Sequence, residues 1–123
     1  LLAKKAEKVI GVECQKSSHD IAETIKTDNM TNYNAKVEEV ISKLSKEADF
    51  IVLDPAREGC KEKVLEEIIK SNIKNIIYIS CNFSTLTRDL KLLTKFYKIQ
   101  KVKIFDMFPL TANMETCVVL EKY

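Results

Sequence analysis

Asn75-Ile76-Ile77-Tyr78-Ile79-Ser80-Cys81-Asn82 is the stretch on which the fold turns. Its apolar run is short, continuous and closed by small polar residues. That is the pattern of a strand buried on both faces. The chain then becomes helical over Thr85–Phe96, with Ser84 or a neighbour as the cap. The same handover occurs upstream, where Phe50–Leu53 (FIVL) ends at Asp54-Pro55 and Lys61–Ser71 comes next as a helix. Val64, Leu65, Ile68 and Ile69 share one face of that helix. Further upstream, Lys8–Glu13 (KVIGVE) reads as a strand, Gln15–Asp28 as helical, Asn29–Asn34 as a polar turn and Ala35–Glu47 as a helix. Downstream, Tyr97–Phe105 and Thr116–Glu121 read as strands joined by the loop around Met107–Asn113. That connection is too short for a parallel crossover, so the last two strands are expected to run antiparallel. The expected class is α/β: a mostly parallel sheet with helices on both faces, ending in an antiparallel pair.

The chain has 123 residues, which allows one domain at most, and residues 1–123 are read as a single one. A 46% hydrophobic and 31% charged composition is ordinary for a soluble globular protein. The net charge of +2 neither supports nor excludes a nucleic-acid partner. No apolar run is long enough to span a bilayer, and the opening Leu1-Leu2-Ala3-Lys4-Lys5 turns charged at once, unlike a signal peptide. Four cysteines, Cys14, Cys60, Cys81 and Cys117, are widely spaced and form no CxxC pair. No zinc or iron–sulfur site is expected from them, and they read as thiols of a cytoplasmic protein. Only two glycines occur, Gly11 and Gly59. A nucleotide-type fold opens with a strand and a glycine-rich turn. The expectation is therefore that the sequence begins after that strand, with Leu1–Lys8 as the tail of a helix. Sheet edges left open in this way could pair with a second copy of the chain.

In an open α/β sheet, ligands bind beyond the carboxyl ends of the strands. Four chemically loaded positions lie there. Glu13 closes the first strand and could accept hydrogen bonds from both hydroxyls of a ribose, or be a solvated acid. Asp54 precedes a proline, which holds it in a fixed turn. Arg57 could pair with Asp54 or with a phosphate, or the two could form no more than an internal ion pair. Cys81 comes after a buried strand at the start of a helix, which suits a soft nucleophile for an electron-poor ring. A buried, inert thiol is the bland alternative. Asn82 could bond a ring amide. Arg88, one turn on, either adds positive potential or binds Asp89. Glu115 sits just before the last strand, where a carboxylate could serve as a general base or stand in water.

Together, IVLDPAREGC, YISCNFSTLTRDL and DMFPLTANMETCVVL resemble the RNA uracil-5-methyltransferase family, which makes 5-methyluridine in tRNA and ribosomal RNA. IGVE looks like the family's acidic cofactor motif, and the likeness covers nearly all of the chain. The resemblance implies a partial Rossmann-like fold of the class I S-adenosylmethionine-dependent methyltransferases. It implies that S-adenosylmethionine is the cofactor and that an RNA is the substrate. Cys81 would be the nucleophile and Glu115 the base that removes the C5 proton. Glu13 and Asp54 would contact the cofactor, and Arg57, Asn82 and Arg88 the substrate. The sequence departs from the family in three ways. Its glycine motif and N-terminal RNA-binding domain are missing, Leu110 and Asn113 stand where histidines are usual, and the region 29–37 is short. The rival expectation is an inactive remnant unable to bind S-adenosylmethionine alone. A methyltransferase acting on amino groups fits less well, because it needs no cysteine and carries an aromatic that is missing after Asp54-Pro55. A non-catalytic RNA-binding module would show a stronger basic patch.

Overall fold

The computed structural model describes residues 2–107, 109–110 and 114–123. Residues 1–40 and 41–123 form two compact units. In the first, β1 (Val9–Glu13) and β2 (Met30–Asn34) pair in parallel, from Val9↔Met30 to Glu13↔Asn34. The connection contains α1 (Lys16–Thr24). β2 corrects the sequence reading, which made Asn29–Asn34 a turn. Its composition, MTNYN, is polar, and three of its five residues are exposed. Its asparagines bond to neighbouring elements instead of bending the chain. The Asn32 amide donates to Glu23 at 3.0 Å, and Asn34 donates to the Glu13 carbonyl at 2.9 Å.

The second unit holds a four-stranded sheet in the order β3-β4-β6-β5. Its strands are β3 (Phe50–Leu53), β4 (Asn75–Ser80), β5 (Tyr97–Phe105) and β6 (Glu115–Lys122). β3 and β4 are parallel, and β6 runs antiparallel to both β4 and β5. The antiparallel last pair results from its short connection. The helices are α2 (Val37–Leu44), α3 (Glu62–Lys70) and α4 (Phe83–Leu93).

Side chains alternate across β4 and β6. Ile76, Tyr78 and Ser80 face Leu120, Val118 and Thr116 across the pair, and all six are buried. α3 buries Val64, Leu65 and Ile68, and α4 buries Leu86 and Leu93. The Tyr97 hydroxyl donates to the Ile68 and Ile73 carbonyls at 3.3 and 2.9 Å, closing the bottom of this core. The other face of the sheet carries Ile77, Ile79, Cys117 and Val119, all half-buried. One face is therefore sealed and the other partly open, and the partly open face leads up to the candidate site.

Candidate active site at the carboxyl ends of β3 and β4

The β4–β6 register ends at Ser80↔Thr116. Cys81 is the next residue after β4, in a bend, and Glu115 is the first residue of β6, so the two follow the last pair at the same end of the strands; both are half-buried. Phe105, the last residue of β5, pairs with Glu115 from the other side.

Cys81 is held in place by its two sequence neighbours. Asn82 is the N-cap of α4, and its Oδ1 accepts the Ser84 amide at 3.0 Å. Ser80 Oγ accepts the Asn82 amide at 3.1 Å and donates to the Asn82 carbonyl at 3.0 Å. The turn carrying the thiol is therefore pinned on both sides by local bonds.

Asp54 leaves β3 exposed, and its strand lies beside β4 with Leu53 opposite Tyr78. The loop it begins is tied to the start of α4. Asn82 Nδ2 and Thr85 Oγ1 donate to the Arg57 carbonyl at 3.1 and 3.0 Å. Among the described residues, the Arg57 guanidinium pairs with no carboxylate, Asp54 included, so the internal ion pair weighed from the sequence is not made. The far end of the loop is tied to Asp89, a carboxylate only 1% exposed. Asp89 Oδ2 accepts the Tyr78 hydroxyl at 2.5 Å and the Cys60 amide at 2.8 Å, and Oδ1 accepts Arg88 Nε at 2.8 Å. Arg88 Nη2 donates to the Glu58 and Cys60 carbonyls at 2.9 and 3.1 Å. Burial pushes the Cys60 thiol up to about 11, so it stays protonated at neutral pH and does not compete as a nucleophile. Burial, then the Asp89 hydrogen bond, also raises Tyr78, which keeps its hydroxyl a donor.

Gly59 lets the loop close, with φ +76. A Cβ there would lie 2.7 Å from Arg88 Nη2 and 2.7 Å from Asp89 Oδ2. Gly59→Ala is expected to destabilise the protein by more than about 1 kcal/mol, since it adds backbone strain to a steric clash. A drop in the denaturant midpoint at unchanged slope checks this.

Glu13 lies in the first unit, at the carboxyl end of β1. Its Oε1 accepts the Gln15 amide at 2.6 Å, while Oε2 has no partner among the described residues. Of the residues expected at the substrate, Asn82 and Arg88 are engaged in holding the loop, whereas Arg57 is exposed and its guanidinium has no ion-pair partner among the described residues. The sequence reading named Asp89 only as a candidate partner of Arg88, a contact the structure shows, and missed Tyr78 and the tie of Asp89 to the loop. A signal was present: Asp89 sits between Leu86 and Leu93 on the buried face of α4, where an acid needs partners. The expectations about Phe108 and Asn113 lie outside the described residues. No group of three or more potential metal ligands occurs among the described residues, and no helix among them is long and apolar enough to cross a membrane.

The model of the tRNA (uracil-5-)-methyltransferase family matches residues 34–123. Among curated relatives, an uncharacterised RNA methyltransferase of Clostridium acetobutylicum is 41% identical over 99% of the chain, and one of Bacillus cereus is 46% identical over 97%. The chain spans only 28% and 27% of those two proteins. Among solved structures, the tRNA (uracil-54, C5)-methyltransferase of Pyrococcus abyssi, in complex with S-adenosyl-L-homocysteine, superposes with a TM-score of 0.84 at 29% identity. That match covers 97% of this chain and 30% of the other. A precorrin-8w decarboxylase from Methanobacterium thermoautotrophicum shares the Rossmann-like fold alone, with a TM-score of 0.76 at 14% identity. Three strand-end motifs, their meeting at one rim of the sheet and a family match across 34–123 agree, and the chain belongs to the tRNA (uracil-5-)-methyltransferase family.

Proposed function

We propose that the protein containing this chain methylates carbon 5 of a uridine in tRNA or ribosomal RNA, using S-adenosylmethionine. What supports this reading is the β4–β6 pairing up to Ser80↔Thr116, because Cys81 and Glu115 are each the next residue beyond that pair at the same end of the two strands, and both are half-buried. A nucleophile and a base so placed can act on the two neighbouring carbons of one flat ring.

Carbon 5 of uracil is a weak nucleophile. The Cys81 thiolate adds to C6, and the C5=C6 electron pair moves to O4 as an enolate. C5 is then electron-rich enough to take a methyl group. Glu115 removes the remaining C5 proton, the C5–H electrons re-form the double bond, and the C6–S bond breaks. The covalent adduct divides one hard reaction into easier steps, and the base must leave its stack to reach Cys81.

Taken each in its own unit, two acidic residues have a chemistry that suits part of the cofactor. The Gln15 amide fixes the Glu13 carboxylate by one oxygen and leaves the other to accept ribose hydroxyls. Asp54, exposed at the end of β3, offers an anion to a sulfonium. When bound, S-adenosylmethionine supplies an electrophilic methyl group. The related Pyrococcus abyssi enzyme holds S-adenosyl-L-homocysteine, the demethylated form of the same molecule. Arg57 offers its free guanidinium to a phosphate or a ring carbonyl. Asn82 keeps one N–H beyond its bond to the Arg57 carbonyl. Arg88 supports the substrate side by holding the loop.

The test is tritium release from RNA labelled at C5 of uridine. With the full-length protein and S-adenosylmethionine, one tritium should leave per methyl group incorporated. Methyl incorporation without tritium release would place the chemistry elsewhere on the RNA.

A further inference from the structure

Asp89 is a buried carboxylate that the proposed chemistry does not use. It is nonetheless the point at which strand, helix and loop are joined. Tyr78 reaches it from the middle of β4, Cys60 from the end of the Asp54–Cys60 loop, and Arg88 from its own helix. Arg88 then extends past it to the carbonyls of Glu58 and Cys60. One guanidinium therefore spans Asp89 and two points of the loop, a task that its fixed fork performs and a flexible ammonium does not. The middle of the loop is held at the Arg57 carbonyl by Asn82, the residue beside Cys81, and by Thr85. The loop is thus fastened at its middle and at its far end to the helix that begins beside the nucleophile, and the Arg57 backbone is one of the fastened points.

We infer that Asp89, acting through Arg88 and Tyr78, is a positioning residue that fixes the Asp54–Cys60 loop so that Arg57 meets the target base attached to Cys81. This rests on the methyltransferase reading above. Asp89 touches neither substrate nor reacting atoms, and its effect passes through the loop backbone. Two observations favour this over core filling. The network is fully satisfied on Asp89, as a buried anion requires. Apart from Tyr78, which belongs to the core, its other ends terminate on backbone groups of the loop.

The test uses the full-length protein with Arg88→Gln and Asp89→Asn. Arg88 has a largely exposed side chain, so its variant is expected to fold even if Asp89→Asn does not. RNA containing 5-fluorouridine titrates the competent Cys81 sites, and turnover on ordinary RNA is divided by that count. The expected result is a fall of about 10²-fold in turnover per titrated site, the scale of a 1 Å misplacement. The KM for RNA should stay within about twofold, because the lost positioning acts on the reacting complex. In an Arg57→Ala background the Arg88→Gln effect should largely vanish, because the loop then has little to position. A raised KM at unchanged turnover would make Arg88 a direct RNA contact and overturn the inference. A lower titratable fraction at unchanged turnover per site would make the network purely structural and overturn it equally. If the wild-type protein forms no adduct at all, the methyltransferase reading itself fails, which is a separate outcome.

Discussion

Cys81→Ser in the full-length protein is expected to abolish both methylation and the covalent adduct with 5-fluorouridine RNA. The loss in turnover should be on the order of 10⁴-fold or more, the range seen when a covalent nucleophile is removed. A serine hydroxyl keeps the shape of the side chain but is a far poorer nucleophile at neutral pH. Cys81 lies one step past the last β4–β6 pair and is only half-buried, so serine leaves no core cavity there. Stability should therefore barely change, and a thermal melt serves as the control. Fluorine at C5 cannot leave as a proton does, so the wild-type adduct persists and is visible as a denaturation-resistant protein–RNA band. Persistence of that band in Cys81→Ser would remove the mechanism. Cys60 is the nearest rival thiol in sequence, and burial keeps it protonated at neutral pH.

Glu115→Gln is expected to give the opposite signature, an adduct that accumulates on ordinary RNA. Glutamine matches glutamate in shape and still accepts hydrogen bonds, but it cannot take the C5 proton. Addition and methyl transfer would proceed once, and elimination would stall. Turnover should fall about 10²–10⁴-fold, the usual contribution of a positioned base. The trapped band should carry labelled methyl at about one per protein. Release of free 5-methyluridine at the wild-type rate would show that another group removes the proton. Together the two variants separate the roles: one prevents the covalent bond and the other prevents its release.

Gly59, Arg88 and Asp89 give the DPAREGC segment a physical meaning that its charges alone do not. Asp54 and Arg57 look like an ion pair in sequence. In the fold, Arg57 pairs with no carboxylate among the described residues, while Arg88 binds Asp89, one of the alternatives the sequence offered, and is tied to the loop as well. The reason is reach: Arg57 sits in mid-loop, whereas Arg88 sits one residue from a buried acid.

Much of the fold was legible because its strands are strongly apolar. Phe50–Leu53, Asn75–Ser80 and Tyr97–Phe105 have the bounds their composition suggests. β2 was not legible, since MTNYN has the residues of a turn and becomes a strand only by pairing with β1. The α4 cap was only roughly placed, because Asn82, Ser84 and Thr85 are all plausible caps by type. Geometry alone selects Asn82.

The sequence by itself determined the alternation of strands and helices and which residue types stand at the strand ends, because burial and periodicity are local and leave a local trace. It also placed Cys81 just after the Asn75–Ser80 strand and Glu115 just before the last strand. Only the tertiary structure decided that β4 and β6 pair up to Ser80 and Thr116, the residues next to Cys81 and Glu115, since β6 inserts between β4 and β5 rather than lying beyond them at the edge. Only the tertiary structure likewise decided that Asp89 binds strand, helix and loop at one point. Such pairings join residues far apart along the chain, and no local pattern of side chains encodes which distant groups will satisfy a buried charge.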